Sequence, residues 1–154
     1  MPAEVGSQAP DFSLPNQHRE VVSLSDFRGR QAVLLVFYPF AFSGICTGEL
    51  CELRDDLAPF EDASVQVLGI SADNVHVLRA FAEAQGYSFP LLSDFWPHGA
   101  VAESYGVFNS DAGAANRGTF LIDKDGIIRF AEANGIGDAR DQQGWRDALR
   151  DLAA

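Results

Sequence analysis

Basic residues are scarce in this sequence. Lys and Arg together number 11 against 22 Asp and Glu, which gives a formal net charge of −11 at pH 7. A protein that binds nucleic acid regardless of sequence needs clustered Lys and Arg to neutralise phosphates, and attraction to anionic lipid surfaces needs the same. The charge balance therefore argues against nucleic-acid and membrane-surface partners.

Long apolar runs and cofactor motifs are also missing. The longest apolar run is Ala32–Tyr38, far short of the roughly 20 residues that a membrane-spanning helix requires. No basic stretch followed by an apolar run opens the chain, so we expect no secretory signal. Neither a P-loop nor a G-x-G-x-x-G sequence is present, and no nucleotide cofactor is indicated.

Cysteine occurs only twice, at positions 46 and 51. In the reducing cytoplasm, the default location here, two cysteines are more often catalytic or inert than joined in a structural disulfide. His18, His76 and His98 share no ligand spacing with either cysteine, and a zinc site needs about four ligands. We therefore expect no metal site.

The apolar content is sufficient for a buried core. The hydrophobic fraction is 47%, and no repeat or linker divides the chain, so a single domain over residues 1–154 is predicted. The continuous apolar runs Ala32–Tyr38 and Val65–Ile70 predict central strands that are buried on both faces of a sheet.

Helical spacing of apolar side chains follows each of these strands. Residues 44–58 carry Leu50, Leu53 and Leu57 on one face, and Pro59 interrupts the pattern near its end. A second helix is predicted over 74–85, with Asn74 as the N-cap and Gly86 as the stop.

The C-terminal part of the chain predicts further elements. Residues 99–105 form a short helix candidate, and 120–130 indicate two strands that turn at Asp125-Gly126. Apolar residues around Trp145 predict a final helix. The element order favours an α/β fold with a mixed central β-sheet flanked by helices, an architecture that matches the thioredoxin-like fold.

Cys46 lies where the first buried strand gives way to a helix. Reactive sites in open α/β sheets collect beyond the carboxyl ends of strands. The N–H groups of a helix N-terminus stabilise an anion, so the pKa of a thiol placed there falls and the reactive thiolate is favoured.

The residues around Cys46 carry a recognisable pattern. Pro39, Ser43 and Cys46 resemble the active-site signature of the peroxiredoxin family, in which Pro is followed by Thr or Ser four residues later and by Cys three further on. The likeness covers nearly the whole chain. It includes Ala9-Pro10-Asp11-Phe12, Phe89-Pro90-Leu91-Leu92-Ser93-Asp94, Tyr105-Gly106-Val107 and Arg117-Gly118-Thr119-Phe120-Leu121-Ile122-Asp123. The segments 91–100 and 115–120 most resemble the AhpE-like one-cysteine peroxiredoxins.

The resemblance implies a thiol-dependent peroxidase. Cys46 would attack the terminal peroxide oxygen and become a sulfenic acid. Ser43 would hydrogen-bond the thiolate and the peroxide, or cap the following helix, or do both. Arg117 would stabilise the thiolate and the developing charge, unless it is a surface arginine.

Two further residues take roles from the same resemblance. Pro39 would shield the sulfur from water, and its alternative is a simple strand end. Glu49 would orient Arg117 through a charge-assisted hydrogen bond, and its alternative is an exposed helix glutamate.

Cys51 departs from the one-cysteine pattern. A resolving cysteine five residues after the reactive one occurs in PrxQ-like peroxiredoxins. In an intact helix the two Cα atoms would be about 8–9 Å apart, beyond the roughly 7 Å that a disulfide tolerates. Either the helix opens and a disulfide forms, or Cys51 is a packed thiol and an external thiol resolves the sulfenic acid.

Other properties stay open at this stage. Phe40, Phe42, Phe95 and Trp96 form an exposed patch for the homodimer that the resemblance implies, unless two of the four pack in the core. The sequence does not choose between hydrogen peroxide, alkyl hydroperoxides and peroxynitrite. The reductant is equally open among thioredoxin, a glutaredoxin-like protein and a low-molecular-weight thiol such as mycothiol.

Two rival functions are a related enzyme and a redox sensor without catalysis. A thioredoxin-type oxidoreductase would carry C-x-x-C, whereas the spacing here is C-x4-C. A redox sensor without enzymatic turnover would use oxidation of Cys46 to change a partner interface.

Overall fold

A mixed five-stranded sheet forms the centre of the protein. The computed structural model describes residues 2–138, 140 and 142–153, and the side chains of residues 46, 142 and 153 lie outside that description. The strands of the sheet are β3 Ala32–Phe37, β4 Val65–Ser71, β5 Leu91–Ser93, β8 Arg117–Ile122 and β9 Ile128–Asn134. They stand in the order β5-β4-β3-β8-β9.

The strand directions confirm the predicted α/β architecture. β3, β4 and β5 pair in parallel, whereas β8 runs antiparallel to both β3 and β9. The helices that connect and cover these strands are α1 Gly44–Asp55, α2 Ala58–Asp62, α3 Val75–Gln85, α4 Ala100–Ser104 and α5 Gln142–Ala153. Within the described ranges, no helix is long and apolar enough to cross a bilayer.

Both faces of β3 are covered, which explains its unbroken apolar sequence. Leu34 and Val36 belong to the core cluster shared with α1, α3 and α5, whereas Leu35 and Phe37 belong to the cluster on the opposite face. Successive side chains of a strand point to opposite faces, so a strand between two layers needs apolar residues at every position.

The helix predicted over 44–58 is wrong in its length. α1 ends at Asp55, and Leu57 is the N-cap of the separate helix α2. Pro59 explains the break because it has no N–H to donate to the Asp55 carbonyl, whereas a first helical turn tolerates that absence. Leu57 therefore does not extend the core stripe of α1.

The end signals of α3 are confirmed. The Asn74 side chain accepts a hydrogen bond from the Val77 N–H at 3.0 Å, and Gly86 ends the helix with a positive φ of 71°. Several short strands were not predicted, namely the hairpin of β1 Ser13–Pro15 with β2 Val21–Ser23, the edge strand β5, and the pair of β6 Phe108–Asn109 with β7 Ala114–Ala115. Segments of two or three residues are too short to show a hydrophobic period.

Candidate active site

The first turn of α1 follows directly from the central strand of the sheet. β3 ends at Phe37, the segment 38–43 redirects the chain, and α1 begins at Gly44. Cys46 is in the first turn of this helix, and its side chain lies outside the part of the chain that the structure describes. N–H groups of a first helical turn have no helical acceptors, so this position favours a thiolate.

The segment between β3 and α1 is anchored to the neighbouring strand. Pro39, two residues after the end of β3, is buried. The Ala41 N–H donates to Asp73 Oδ2 at 2.8 Å, and Ser71 Oγ donates to the same oxygen at 2.8 Å. Asp73 thus positions the chain that leads to Cys46, although nothing in its sequence context distinguished it from other acidic residues after a strand.

Ser43 occupies the N-cap position of α1 without capping it through its side chain. Its hydroxyl donates to the Phe40 carbonyl oxygen at 3.1 Å, and no side-chain cap hydrogen bond forms. The expected side-chain cap is therefore wrong, because the hydroxyl turns back into its own loop. The Ser43 carbonyl still accepts the Thr47 N–H at 2.9 Å, as the backbone of an N-cap residue does.

Glu49 and Arg117 form a buried ion pair beneath the first turns of α1. Arg117 Nη1 donates to Glu49 Oε1 at 2.8 Å, and Arg117 Nε donates to the Ile136 carbonyl oxygen at 2.8 Å. Arg117 is only 2% exposed, and Glu49 is only 7% exposed. The alternatives of a surface arginine and an exposed helix glutamate are therefore wrong.

The position of this pair follows from helix and strand geometry. Glu49 is three residues after Cys46, so both lie on neighbouring positions of one face of α1. Arg117 is the first residue of β8, which pairs directly with β3. The pairing of β8 with β3 therefore places the Arg117 guanidinium next to α1, the helix that contains Cys46.

A second buried arginine, Arg140, binds the same glutamate. Its backbone N–H donates to Glu49 Oε2 at 2.8 Å, and its Nε lies 3.1 Å from that oxygen. Its guanidinium also donates to the Phe37 carbonyl oxygen at 2.6 Å and to Thr119 Oγ1 at 2.8 Å. No motif or spacing marked Arg140 in the sequence, because its partners lie 21 to 103 positions away in the chain.

Within the part of the chain that the structure describes, the charges of this cluster do not cancel. One carboxylate, on Glu49, faces the two guanidinium groups of Arg117 and Arg140, so these three side chains together carry a net positive charge beside the N-terminal part of α1. Charges are costly to bury without opposite charges nearby, so the cluster favours an anion at this place. A thiolate on Cys46 and a negatively charged oxygen leaving a substrate are both anions of the required kind.

Comparison with known proteins identifies the family. Residues 5–131 match the model of the AhpC/TSA family. The chain is 54% identical over 150 residues to alkyl hydroperoxide reductase E of Mycobacterium tuberculosis, covering 97% of this chain and 98% of the relative. It belongs to the AhpC/TSA family and is a peroxiredoxin.

Two more comparisons agree with this assignment. Peroxiredoxin Bcp of Escherichia coli is 43% identical over 133 residues, which cover 82% of this chain and 83% of the relative. The crystal structure of peroxidoxin BcpB from Mycobacterium tuberculosis superposes with a TM-score of 0.84 at 32% identity, covering 97% and 96% of the two chains. The predicted AhpE-like resemblance and the thioredoxin-like fold are confirmed, and the peroxiredoxin is a thiol-dependent peroxidase.

The second cysteine of this peroxiredoxin faces α3. Cys51 is half-buried in the third turn of α1, and its Sγ donates to Gln85 Oε1 at 3.6 Å. The Tyr87 hydroxyl oxygen lies 3.4 Å from the same sulfur. Both cysteines are within one unbroken helix, so the distance argument against a direct bridge applies to this structure.

The four candidate patch residues of the peroxiredoxin are all exposed. Phe40 and Phe42 follow β3, whereas Phe95 and Trp96 follow β5, with exposed fractions between 45% and 70%. The carboxyl ends of parallel strands lie at one edge of a sheet, so both segments emerge beside the first turn of α1. The alternative that two of these residues pack in the core is therefore wrong, although the Phe42 ring also contacts Phe81.

The three histidines lie on separate elements. His18 is in the turn between β1 and β2, His76 is in α3, and His98 follows β5. Within the described residues, no group of three or more His, Cys, Asp and Glu side chains is arranged to hold a metal ion.

Proposed function

We propose that the Cys46 thiolate is the nucleophile that reduces hydroperoxides. Its sulfur attacks the terminal oxygen of the O–O bond, forms an S–O bond and displaces alkoxide or hydroxide. That leaving group takes a proton and departs as alcohol or water, while Cys46 becomes a sulfenic acid. The sulfur is oxidised by two electrons and the peroxide is reduced by two.

The buried cluster of Glu49 with Arg117 is the observation that carries this proposal. Both side chains are held by hydrogen bonds before any substrate arrives. Donors fixed in advance stabilise developing charge without having to reorganise during the reaction. In this role Arg117 stabilises the thiolate and the oxygen that leaves, while Glu49 orients Arg117.

Ser43 and Pro39 complete the proposed site. A hydroxyl that now donates to the Phe40 carbonyl can rotate to the incoming peroxide, because a hydroxyl both donates and accepts. Pro39 supplies no N–H that would compete for the thiolate, and its buried ring limits access of water. The two residues thus organise the approach of the O–O bond to Cys46.

Hydrogen peroxide and organic hydroperoxides are the proposed substrates. The Mycobacterium tuberculosis relative is named an alkyl hydroperoxide reductase. Exposed rings of Phe40 and Phe42 stand in the segment that leads into α1, so an apolar substituent finds apolar surface there. Neither feature discriminates against hydrogen peroxide, which needs only the O–O bond.

We propose that Cys51 resolves the sulfenic acid after local opening of α1. Its thiol sulfur attacks the Cys46 sulfur, the S–O bond breaks, and water leaves as the S–S bond forms. Gly44 and Gly48 lower the cost of opening, because glycine inside a helix is less favourable than alanine by about 1 kcal/mol. If the helix does not open, an external thiol takes the place of Cys51.

Intact-mass spectrometry after one equivalent of hydrogen peroxide tests both steps. We expect the wild-type chain to lose two hydrogens, and the Cys51→Ser variant to gain one oxygen instead. A wild-type chain that keeps an added oxygen would remove Cys51 from the pathway and leave Cys46 as the site of oxidation. A mass unchanged in both proteins would remove Cys46 as well.

A thiol reductant closes the catalytic cycle. Thioredoxin and glutaredoxin-like proteins attack a disulfide through a thiolate, and low-molecular-weight thiols react with a disulfide or a sulfenic acid. A disulfide intermediate favours the first two, and an external resolution favours the third. All three reductants belong to a reducing compartment, and we therefore propose a cytoplasmic location.

We also propose that the peroxiredoxin is a homodimer joined through the exposed aromatic edge. Apolar surface gathered at one edge is typical of an interface. The Phe95→Glu variant should shift the sedimentation coefficient from that of a dimer to that of a monomer, because a charge would be buried without an opposite charge. Val21→Glu, a change at another exposed apolar residue, should leave the dimer intact. A Phe95→Glu variant that stays dimeric would place the interface elsewhere.

A further inference from the structure

The Tyr87 hydroxyl contacts two parts of the same helical turn of α1. It donates a hydrogen bond to the Thr47 carbonyl oxygen at 3.3 Å and lies 3.4 Å from Cys51 Sγ. In a regular α-helix, the carbonyl of residue 47 is also the acceptor for the N–H of residue 51. Tyr87 therefore holds both ends of the turn that begins one residue after Cys46 and ends at Cys51.

Tyr87 is itself held rigidly. Its side chain is buried, and its ring stacks on Phe89 at 5.3 Å between centroids and meets the edge of Phe81 at 5.1 Å. The Phe81 ring in turn contacts Phe42, which lies in the segment before α1, at 4.9 Å. An anchored ring cannot follow the helix when the helix moves, so the hydroxyl contacts must break.

Gln85 supports the same contact from the end of α3. Its Oε1 accepts the Cys51 thiol at 3.6 Å. Arg54, one turn after Cys51, donates from Nη1 to the Gln85 carbonyl oxygen. The side of α1 that carries Cys51 is thus fastened to the C-terminal end of α3 by contacts on both sides of the sulfur.

We propose that the Tyr87 hydroxyl is a positioning group that restrains the opening of α1 and thereby sets how the Cys46 sulfenic acid is consumed. The proposal rests on the disulfide route given above. While the turn stays closed, a second hydroperoxide can oxidise the sulfenic acid to a sulfinic acid, releasing water or alcohol. Once the turn opens, Cys51 forms the disulfide and releases water. Tyr87 therefore shifts the balance toward the closed state.

The Tyr87→Phe variant tests this role, because it keeps the ring and removes only the hydroxyl. One net hydrogen bond changes an equilibrium by about three- to tenfold. In rapid-quench mass spectrometry, we expect disulfide formation to become faster by that factor. The hydrogen peroxide concentration that converts half of the chains to sulfinic acid should rise equally, while the rate of the first oxidation of Cys46 stays unchanged.

Tyr105→Phe is the matched control. The Tyr105 hydroxyl donates to the Pro10 carbonyl oxygen at 2.7 Å, so this variant also removes a hydroxyl–carbonyl bond of an anchored tyrosine, but in the core cluster on the opposite face of the sheet from α1. Its disulfide rate should equal that of the wild type. Gln85→Met, which removes the other contact to the Cys51 sulfur, should also accelerate disulfide formation.

Gly48→Ala should act in the opposite direction. Among the described residues, a methyl group added at this position meets no atom within 4 Å apart from the adjacent residues and the backbone of α1 itself, so the substitution stabilises the helix without a clash. The greater helix preference of alanine should slow disulfide formation about fivefold. An unchanged rate in Gly48→Ala would show that helix opening does not limit the reaction, and would overturn the proposal.

The outcomes separate this proposal from the one on which it rests. A wild-type chain that forms no disulfide at all overturns both. A wild-type disulfide that forms at the same rate in Tyr87→Phe and Gln85→Met overturns the role of Tyr87 alone. Equal acceleration in Tyr87→Phe and Tyr105→Phe would assign the effect to general destabilisation, and would overturn it too.

Discussion

The Cys46→Ser variant should lose hydroperoxide consumption by at least about 10³-fold, the scale on which enzymes lose rate when their nucleophile is removed. A serine hydroxyl is a poor nucleophile toward a peroxide, and the positive charge of Arg117 does not make it a good one. The measurement is consumption of hydrogen peroxide and of an alkyl hydroperoxide by the folded variant, with dithiothreitol supplied as the reductant.

Cys51→Ser is the matched control for this experiment. It changes the other cysteine of the same helix, yet the first turnover of peroxide should proceed at the wild-type rate. Hydroperoxide consumption that survives in Cys46→Ser would assign the chemistry to another group. Loss of the first turnover in Cys51→Ser would do the same.

The Glu49→Gln variant should be destabilised by about 3–5 kcal/mol in its free energy of unfolding. Glutamine keeps the size and one hydrogen-bond acceptor of the side chain, but it removes the only negative charge described between Arg117 and Arg140. Two buried cations then lose the carboxylate that both of them contact, which is far more costly than the loss of an exposed ion pair. Urea denaturation followed by circular dichroism measures the change.

The same substitution should also slow the peroxidase. Arg117 would keep its bond to the Ile136 carbonyl but would lose its charged partner on α1, and displacement of a catalytic group by about 1 Å can cost roughly 10²-fold in rate. Glu52→Gln is the control, because Glu52 is exposed on the same helix. If Glu49→Gln matched Glu52→Gln in both stability and rate, the buried cluster would have neither role.

Elements with strong local signals were predictable from the sequence. α3 combines an apolar stripe with Asn74 at its start and Gly86 at its end, and the structure contains all three features. The pair of β8 and β9 turns close to Asp125-Gly126, as this dipeptide indicated. In each case, residues adjacent in the chain supply the energy that defines the element, so the signal is local.

The interruption between α1 and α2 required more than periodicity. Leu57 continues the spacing of Leu50 and Leu53, and the helical pattern therefore ran past the true end of α1 at Asp55. Because Pro59 has no N–H, the carbonyl four residues earlier cannot receive its helical hydrogen bond. A breaking residue thus ends a helix well before its own position.

The candidate site likewise contains residues that are close in sequence and residues that are distant. Cys46, Pro39 and Ser43 are close in sequence, and Glu49 lies one turn further, so their grouping could be predicted. Arg140 could not, because its contacts with Glu49, Phe37 and Thr119 exist only once β3, β8 and α1 have packed together.

The sequence by itself determined the family, the α/β class and the place of Cys46 at the start of a helix. Motif spacing and hydrophobic period are short-range properties, so they can be recognised in the sequence alone. Only the tertiary structure decided that Glu49 and Arg117 are buried and that Arg140 binds Glu49. It also decided that the Tyr87 hydroxyl contacts the turn of α1 that ends at Cys51. Burial and long-range hydrogen bonds depend on which distant segments pack together, and one chain read residue by residue does not contain that information.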